Sequence, residues 1–282
     1  MFRPRRSLFL VFFLSILAVS GPAFSARPQI KRCATPPVDA TTRQLVEQWL
    51  KAEKERRGPF LKTDRTVPVA FHVITSGRKG RVSDEQIDVQ INNLNVAYEG
   101  TGFSFELVKV DRTNNAKWYR NCLGRNESAM KKRLAVDPRY TLNIYTCTPG
   151  DPDTLGIAQF PWDFPESSFM HGIILHPISL PGSGDPDYGV YGLTAIHEIG
   201  HYFGLFHTFE GGCADEDEVG DTPAQRDPIY ECRVGIDTCG SRPGLDDVQN
   251  FMNYADDNCI DHFTSGQGER MQAVVSVTKP SW

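Results

Sequence analysis

Apolar positions along the chain follow two periods, and the places where each period starts and stops outline its elements. Behind the basic residues Arg3, Arg5 and Arg6 comes an almost unbroken apolar run from Leu8 to Val19. It closes on small residues, with Ala23 and Ser25 at −3 and −1 of a cleavage after Ser25, so residues 1–25 read as a secretory signal peptide rather than a membrane span. From Thr41 to Arg57, Leu45, Val46, Trp49 and Leu50 make one stripe on a highly charged helix that stops at Gly58-Pro59. Thr66 to Thr75 alternates Val67, Val69, Phe71 and Val73 as a strand does, and Ser83 with Gln86 forms a capping box for a helix carrying Ile87, Ile91, Leu94 and Tyr98. Phe103 to Val110 alternates again; Tyr140 to Thr146, Thr154 to Trp162 and His171 to His176 are short β-prone runs. Helical spacing returns from Gly192 to Leu205. Between Glu210 and Asp261 the pattern dissolves into acidic, Gly/Pro/Asp-rich sequence, and a last helix is expected over Thr264 to Val277. This order predicts an α+β chain: a mixed layer of about five strands with one or two helices, a helix leading out of it, and a loop-rich second lobe.

Removing the signal segment takes three arginines and no acid, so the formal charge falls from −5 to −8. An acidic chain without a basic face is a poor partner for nucleic acid, and no later stretch is long and apolar enough for a membrane. The remaining residues, about 257, suit a short pro-segment (26–60) ahead of one catalytic domain (61–282). All seven cysteines lie beyond Ser25, and in an exported chain they can pair. Seven is odd, so one thiol is left free, intermolecular or metal-bound. Asn126-Glu127-Ser128 is the only glycosylation sequon.

His197-Glu198-Ile199-Gly200-His201-Tyr202-Phe203-Gly204-Leu205-Phe206-His207 satisfies H-E-x-x-H-x-x-G-x-x-H. Histidines at i and i+4 stack on one helix face and can reach one cation. Glu198, beside the first of them, is placed to take a proton from water on that cation. Gly204 has no Cβ and can adopt positive φ, which ends the helix and swings His207 back toward the metal. Three nitrogen ligands leave a fourth position open, the catalytic form of a zinc site, with one Zn²⁺ per chain expected. Five such positions would coincide by chance on the order of once in 10⁵ chains of this size.

Met252, 45 residues beyond His207, sits in Asn250-Phe251-Met252-Asn253-Tyr254. Here the sequence resembles the metzincins, in which a Met-turn follows the long zinc motif. Thr208-Phe209 and Asp221-Thr222-Pro223 make it similar to the pappalysin (cytophagalysin) family, from about Thr66 to the C-terminus, with Gly156 to Trp162 like that family's edge strand. The resemblance implies a metzincin (zincin-like) fold: an upper lobe with a mixed five-stranded twisted sheet, an active-site helix and an irregular disulfide-rich lower lobe. It further implies that Met252 lies beneath the zinc, that Tyr254 stabilises the oxyanion, and that Cys213–Cys239 and Cys232–Cys259 tie the lower lobe, leaving Cys122 with Cys147. The activity implied is secreted, extracellular zinc-dependent endopeptidase, with proteins or peptides as substrates running along Gly156 to Phe160. Rival readings are a zinc hydrolase of a non-peptide substrate and a binding protein on a dead protease scaffold.

The acidic run Asp215-Glu216-Asp217-Glu218 is either a solvated loop or, as the resemblance implies, a Ca²⁺ site of Asp217, the Val219 carbonyl, Asp221 and Thr222. His72, His171, His176 and His262 lack ligand spacing and are expected to be packed or solvated. Relatives that prefer basic residues carry an acid just before the cysteine after the Met-turn; this chain has Asn258 there, with Asp256 and Asp257 ahead of it. Cys33, in Arg32-Cys33-Ala34-Thr35, is the odd thiol. Its setting looks like a cysteine switch, in which the thiolate ligates zinc in the latent form until cleavage, expected in Lys51 to Arg57, removes it.

Overall fold

The computed structural model describes residues 31–151, 153–184, 189–214 and 217–282; the signal-peptide segment, Asp215 and Glu216 lie outside them. The described elements are β1 (Lys31–Cys33), α1 (Ala40–Arg57), β2 (Arg65–Thr75), α2 (Asp84–Ala97), β3 (Phe103–Asn114), α3 (Ala116–Arg120), α4 (Arg125–Leu134), β4 (Leu142–Thr146), β5 (Thr154–Ala158), β6 (Ile173–Leu175), α5 (Leu193–Tyr202) and α6 (Ser265–Thr278). One sheet runs in the order β1-β5-β6-β4-β2-β3. All its pairs are parallel except β5–β6. The five expected strands are β2 to β6. The sixth, β1, comes from the segment read as pro-segment and covers the outer edge of β5, with Cys33 opposite Gly156.

β2 lies inside the sheet, so both of its faces are buried: Val67, Val69, Phe71 and Val73 on one, Ala70, His72 and Ile74 on the other. The Ser83/Gln86 and Thr264/Gln267 capping boxes open α2 and α6. α2 and α5 pack with the inner sheet face into one apolar core that continues through Phe251, Met252 and Ile260 into the lower lobe. Three disulfides, Cys122–Cys147, Cys213–Cys239 and Cys232–Cys259, close loops in both lobes.

One expectation needs correction. The α1 stripe that docks is Arg43, Val46 and Leu50, whereas Leu45 and Trp49 are exposed. The contact is narrow, a single seam of Val46 and Leu50 on Val274 and Val277 of α6, with Phe60 and Trp162 beside it. The stretch Lys51 to Arg57 is the mostly exposed end of α1, and irregular chain follows at 58–64, where Phe60 is partly buried.

Candidate active site

α5 is buried along its whole length because it has a lobe on each side. The sheet edge lies above, and the turn carrying Met252 lies below. That closeness explains Gly200: a Cβ there would come within 2.5 Å of the Met252 sulfur. Gly204 sits at φ +92° and turns the chain out of the helix toward His207, as its place in the motif requires.

A backbone carbonyl only accepts, so the two Nδ1 contacts assign the tautomers. His197 Nδ1 donates to the Phe251 carbonyl at 2.7 Å and His201 Nδ1 to the Leu205 carbonyl at 2.8 Å. Their Nε2 atoms are left as bare lone pairs. His201 Nε2 lies 3.1 Å from Nε2 of both His197 and His207. Buried lone pairs so close repel one another unless a cation sits between them. The spacing approaches the ~3.3 Å that two nitrogens adopt when each is ~2.0–2.1 Å from a tetrahedral zinc. Burial lowers the pKa of all three imidazoles, that of His207 to about 3, and so keeps them neutral and able to ligate.

The Cys33 sulfur joins this group: its Sγ and the three imidazole nitrogens all lie within 4.8 Å of one another. Burial and the Glu198 carboxylate push the thiol's pKa well up, so a cation is needed to hold it as thiolate. The donor set of three neutral nitrogens and one sulfur fits zinc.

Glu198 is fully buried, and burial raises its pKa to about 8. Its Oε2 accepts from the Thr35 hydroxyl at 2.9 Å, and that hydroxyl in turn accepts from the Ala158 N–H at 2.8 Å. Gly156 lets the edge strand pass directly over this carboxylate: a Cβ would come within 2.7 Å of Glu198 Cγ and Oε1. Tyr254 brings its hydroxyl to 3.1 Å from His207 Nε2 and 3.5 Å from the Cys33 carbonyl oxygen. Burial holds the phenol well above its ordinary pKa, so it remains an O–H donor.

Of the suggested calcium ligands, Asp217, the Val219 carbonyl and Thr222 converge. The Thr222 hydroxyl lies 2.6 Å from Asp217 Oδ2 and 2.8 Å from the Val219 oxygen. The Asp221 carboxylate turns instead to the start of α6, accepting from the Thr264 hydroxyl and the Gly266 N–H. The other histidines stay away from the metal group. His72 bridges Asp111 and Asn143, His171 faces the Phe164 and Pro165 carbonyls, His176 Nδ1 accepts from the Ile178 N–H, and His262 bridges Asp247 and Asp261. Asn126, in the first turn of α4, donates from its side-chain nitrogen to the Asn121 carbonyl.

Sequence reasoning passed over Thr35, for which no motif gave a signal, and the partner of Arg32. The Arg32 guanidinium meets Asp257 at 2.8 Å with both side chains sealed from solvent. Asp257 is one of the acids that follow the Met-turn, and its partner lies 225 positions away.

An HExxHxxGxxH helix under a mixed sheet, with a methionine turn below it, is the scaffold of a metzincin zinc peptidase. A family model described as pregnancy-associated plasma protein-A, peptidase M43, matches residues 138–276. An extracellular metalloprotease of Arthroderma benhamiae is 36% identical over 262 residues, covering 92% of this chain and 94% of that one. Another of the same description, from Pyricularia oryzae, is 35% identical, with 93% and 94% covered. Among solved structures, a promirolysin variant from Tannerella forsythia superposes with a TM-score of 0.75 at 25% identity, covering 88% of this chain and 94% of that one. Mature mirolysin in complex with a cleaved peptide gives 0.67 at 28% identity, with 75% and 91% covered. The chain belongs to the pappalysin (M43) family of metallopeptidases and is a zinc-dependent endopeptidase. These comparisons give the two rival readings no support.

Proposed function

We propose that the chain is exported and made as a latent precursor, with 1–25 as signal peptide, 26–60 as pro-segment and 61–282 as the catalytic domain. Cys33 would be the fourth zinc ligand of the latent form. The convergence of the Cys33 sulfur on His197, His201 and His207 carries this reading. Export is supported by relatives named extracellular metalloproteases and by three disulfides. Among the described residues, no helix is long and apolar enough to cross a membrane.

The pro-segment occupies what the reaction needs. β1 uses the free edge of β5 on which an extended peptide would lie, and Thr35 takes the Glu198 carboxylate and the Ala158 N–H together. The activating cut would fall in the mostly exposed basic stretch Lys51 to Arg57 at the end of α1, or in the irregular chain 58–64 just after it, which contains the proposed 60/61 boundary.

When bound, zinc polarises the scissile carbonyl and acidifies water. Glu198 takes the proton from the attacking water and returns it to the leaving amine. Tyr254 donates its O–H to the oxyanion. Asp257, which Arg32 meets in the precursor, would then receive a basic substrate side chain once the pro-segment leaves. A calcium ion on Asp217, the Val219 carbonyl and Thr222, with Asp221 steadying the loop through α6, and a glycan on Asn126 belong to the same reading.

The test is the intact precursor carrying Cys33→Ser. It should cleave a peptide before any processing, while the intact wild type stays silent. An intact mutant as silent as the wild type would remove the switch.

A further inference from the structure

The turn between Gly204 and His207 holds two ligands at once. His207 belongs to it, and the Leu205 carbonyl orients His201 by accepting from its Nδ1. Whatever fixes this turn fixes two of the three imidazoles. One face of α6 does so. Arg270 and Val274, one helical turn apart, both press on Gly204: a Cβ there would come within 2.6 Å of Val274 Cγ1, and Arg270 Nε donates to the Gly204 carbonyl at 3.0 Å. The Arg270 guanidinium also lies over the Phe206 ring, 4.8 Å from its centre. The carbonyl before Leu205 and the ring after it are therefore gripped by one planar group that is only 7% exposed.

The same guanidinium reaches outward. Nη1 donates toward the Glu218 carbonyl at 3.5 Å, and Nη2 lies 2.8 Å from Glu47 Oε1 on α1. The arginine thus stands between the metal-ligand turn and the pro-segment helix.

We propose that Arg270 is a positioning residue for the zinc site, holding the Gly204–His207 turn so that His201 and His207 meet the metal in fixed geometry. This rests on reading those histidines as ligands. A flexible lysine cannot grip carbonyl and ring together as a planar fork does, and loss of an outer-shell support of this kind costs about 10–100-fold in metal affinity.

The experiment measures zinc dissociation constants by competition with a chromophoric chelator. The full-length proteins are wild type, Arg270→Met, Arg270→Lys, Glu47→Gln and His207→Ala, with melting temperatures recorded metal-free and zinc-loaded. Arg270→Met is expected to weaken zinc by about tenfold or more, to shift the visible absorption of the cobalt-substituted protein, and to shrink the stabilisation that zinc confers. Arg270→Lys should show a smaller loss in the same direction and carries the test if Arg270→Met does not fold. Glu47→Gln should weaken zinc less than Arg270→Met, because Glu47 reaches the turn only through Arg270. An Arg270 variant that melts lower with and without metal alike, at unchanged zinc affinity and cobalt spectrum, would make Arg270 plain packing and overturn the proposal. So would Glu47→Gln weakening zinc as much as Arg270→Met. Unaltered zinc binding in His207→Ala would instead sink the ligand assignment beneath it.

Discussion

In the upper lobe the sheet ladder satisfies the backbone, and side chains such as Val69, Phe71, Leu94 and Ile144 are free to be apolar and fully buried. Between residues 210 and 261 the described chain has only one 3-10 turn, at Gly212–Ala214, and an isolated bridge, so its backbone must find other partners. Side-chain amides supply them. Asn253 Oδ1 accepts from the N–H groups of Ile229 and Tyr254, while its Nδ2 donates to Gln225 and to the Asp247 carbonyl. Asn250 pairs with Gln267 and Asp247 and accepts from the Met252 N–H. The lesson is that the polar half carries the groups needing exact placement, Met252 and Tyr254, on side-chain hydrogen bonds. The apolar half supplies stability and the edge strand β5 over Glu198. Damage should therefore look different in the two.

The largest effect is expected where the lobes meet. Glu198→Ala in activated enzyme should lower turnover by about 10²–10⁴-fold while the protein still carries zinc, measured by peptide assay and metal analysis. Retention of a tenth of wild-type turnover would refute Glu198 as the base. Tyr254→Phe, the lower lobe's own contribution, should reduce kcat by about 10²–10³-fold with little change in KM. An unchanged kcat would show that the hydroxyl does not reach the reacting centre.

Two stability variants sharpen the contrast. Leu94→Ala leaves a hole in the upper core and should cost about 2–5 kcal/mol in denaturant unfolding with kcat intact. Asn253→Leu strands buried partners, each worth about 1–3 kcal/mol, and should lower kcat as well because the Tyr254 N–H loses its acceptor. If both variants changed stability alone, the division of labour between the lobes would fail.

The smallest effect is one of pH. The hydrogen bond to Asp247, with Asp261 beside it, raises the pKa of His262 to about 9, above the ordinary ~6.5. A raised folded-state pKa stabilises fully below ~6.5, and the contribution fades as pH climbs through about 9. Wild type and His262→Gln should therefore differ most in melting temperature near pH 6 and converge above pH ~9. A gap that widens with pH would contradict the assignment.

The zinc motif, the alternation of β2 and β3, the two capping boxes and the helical spacing of α5 were legible along the chain because each is local. They are i, i+4 neighbours, period-two runs or reciprocal bonds three residues apart, which backbone geometry reads without knowledge of the rest. The α3 and α4 helices gave no such signal: α3 buries no residue, and α4 buries Glu127 and Lys131 beside Met130, so no apolar stripe marks them. The sequence by itself determined the zinc-peptidase motif, with the three histidines that the fold gathers and the acid beside the first of them. Only the tertiary structure decided that Thr35 meets Glu198 across 163 positions, that Arg32 meets Asp257, that Arg270 grips the Gly204 carbonyl, and that Val46 rather than Leu45 docks α1. Pairings at such separations follow from how the two lobes and the segment ahead of β2 close over one another, and no residue period records that closure.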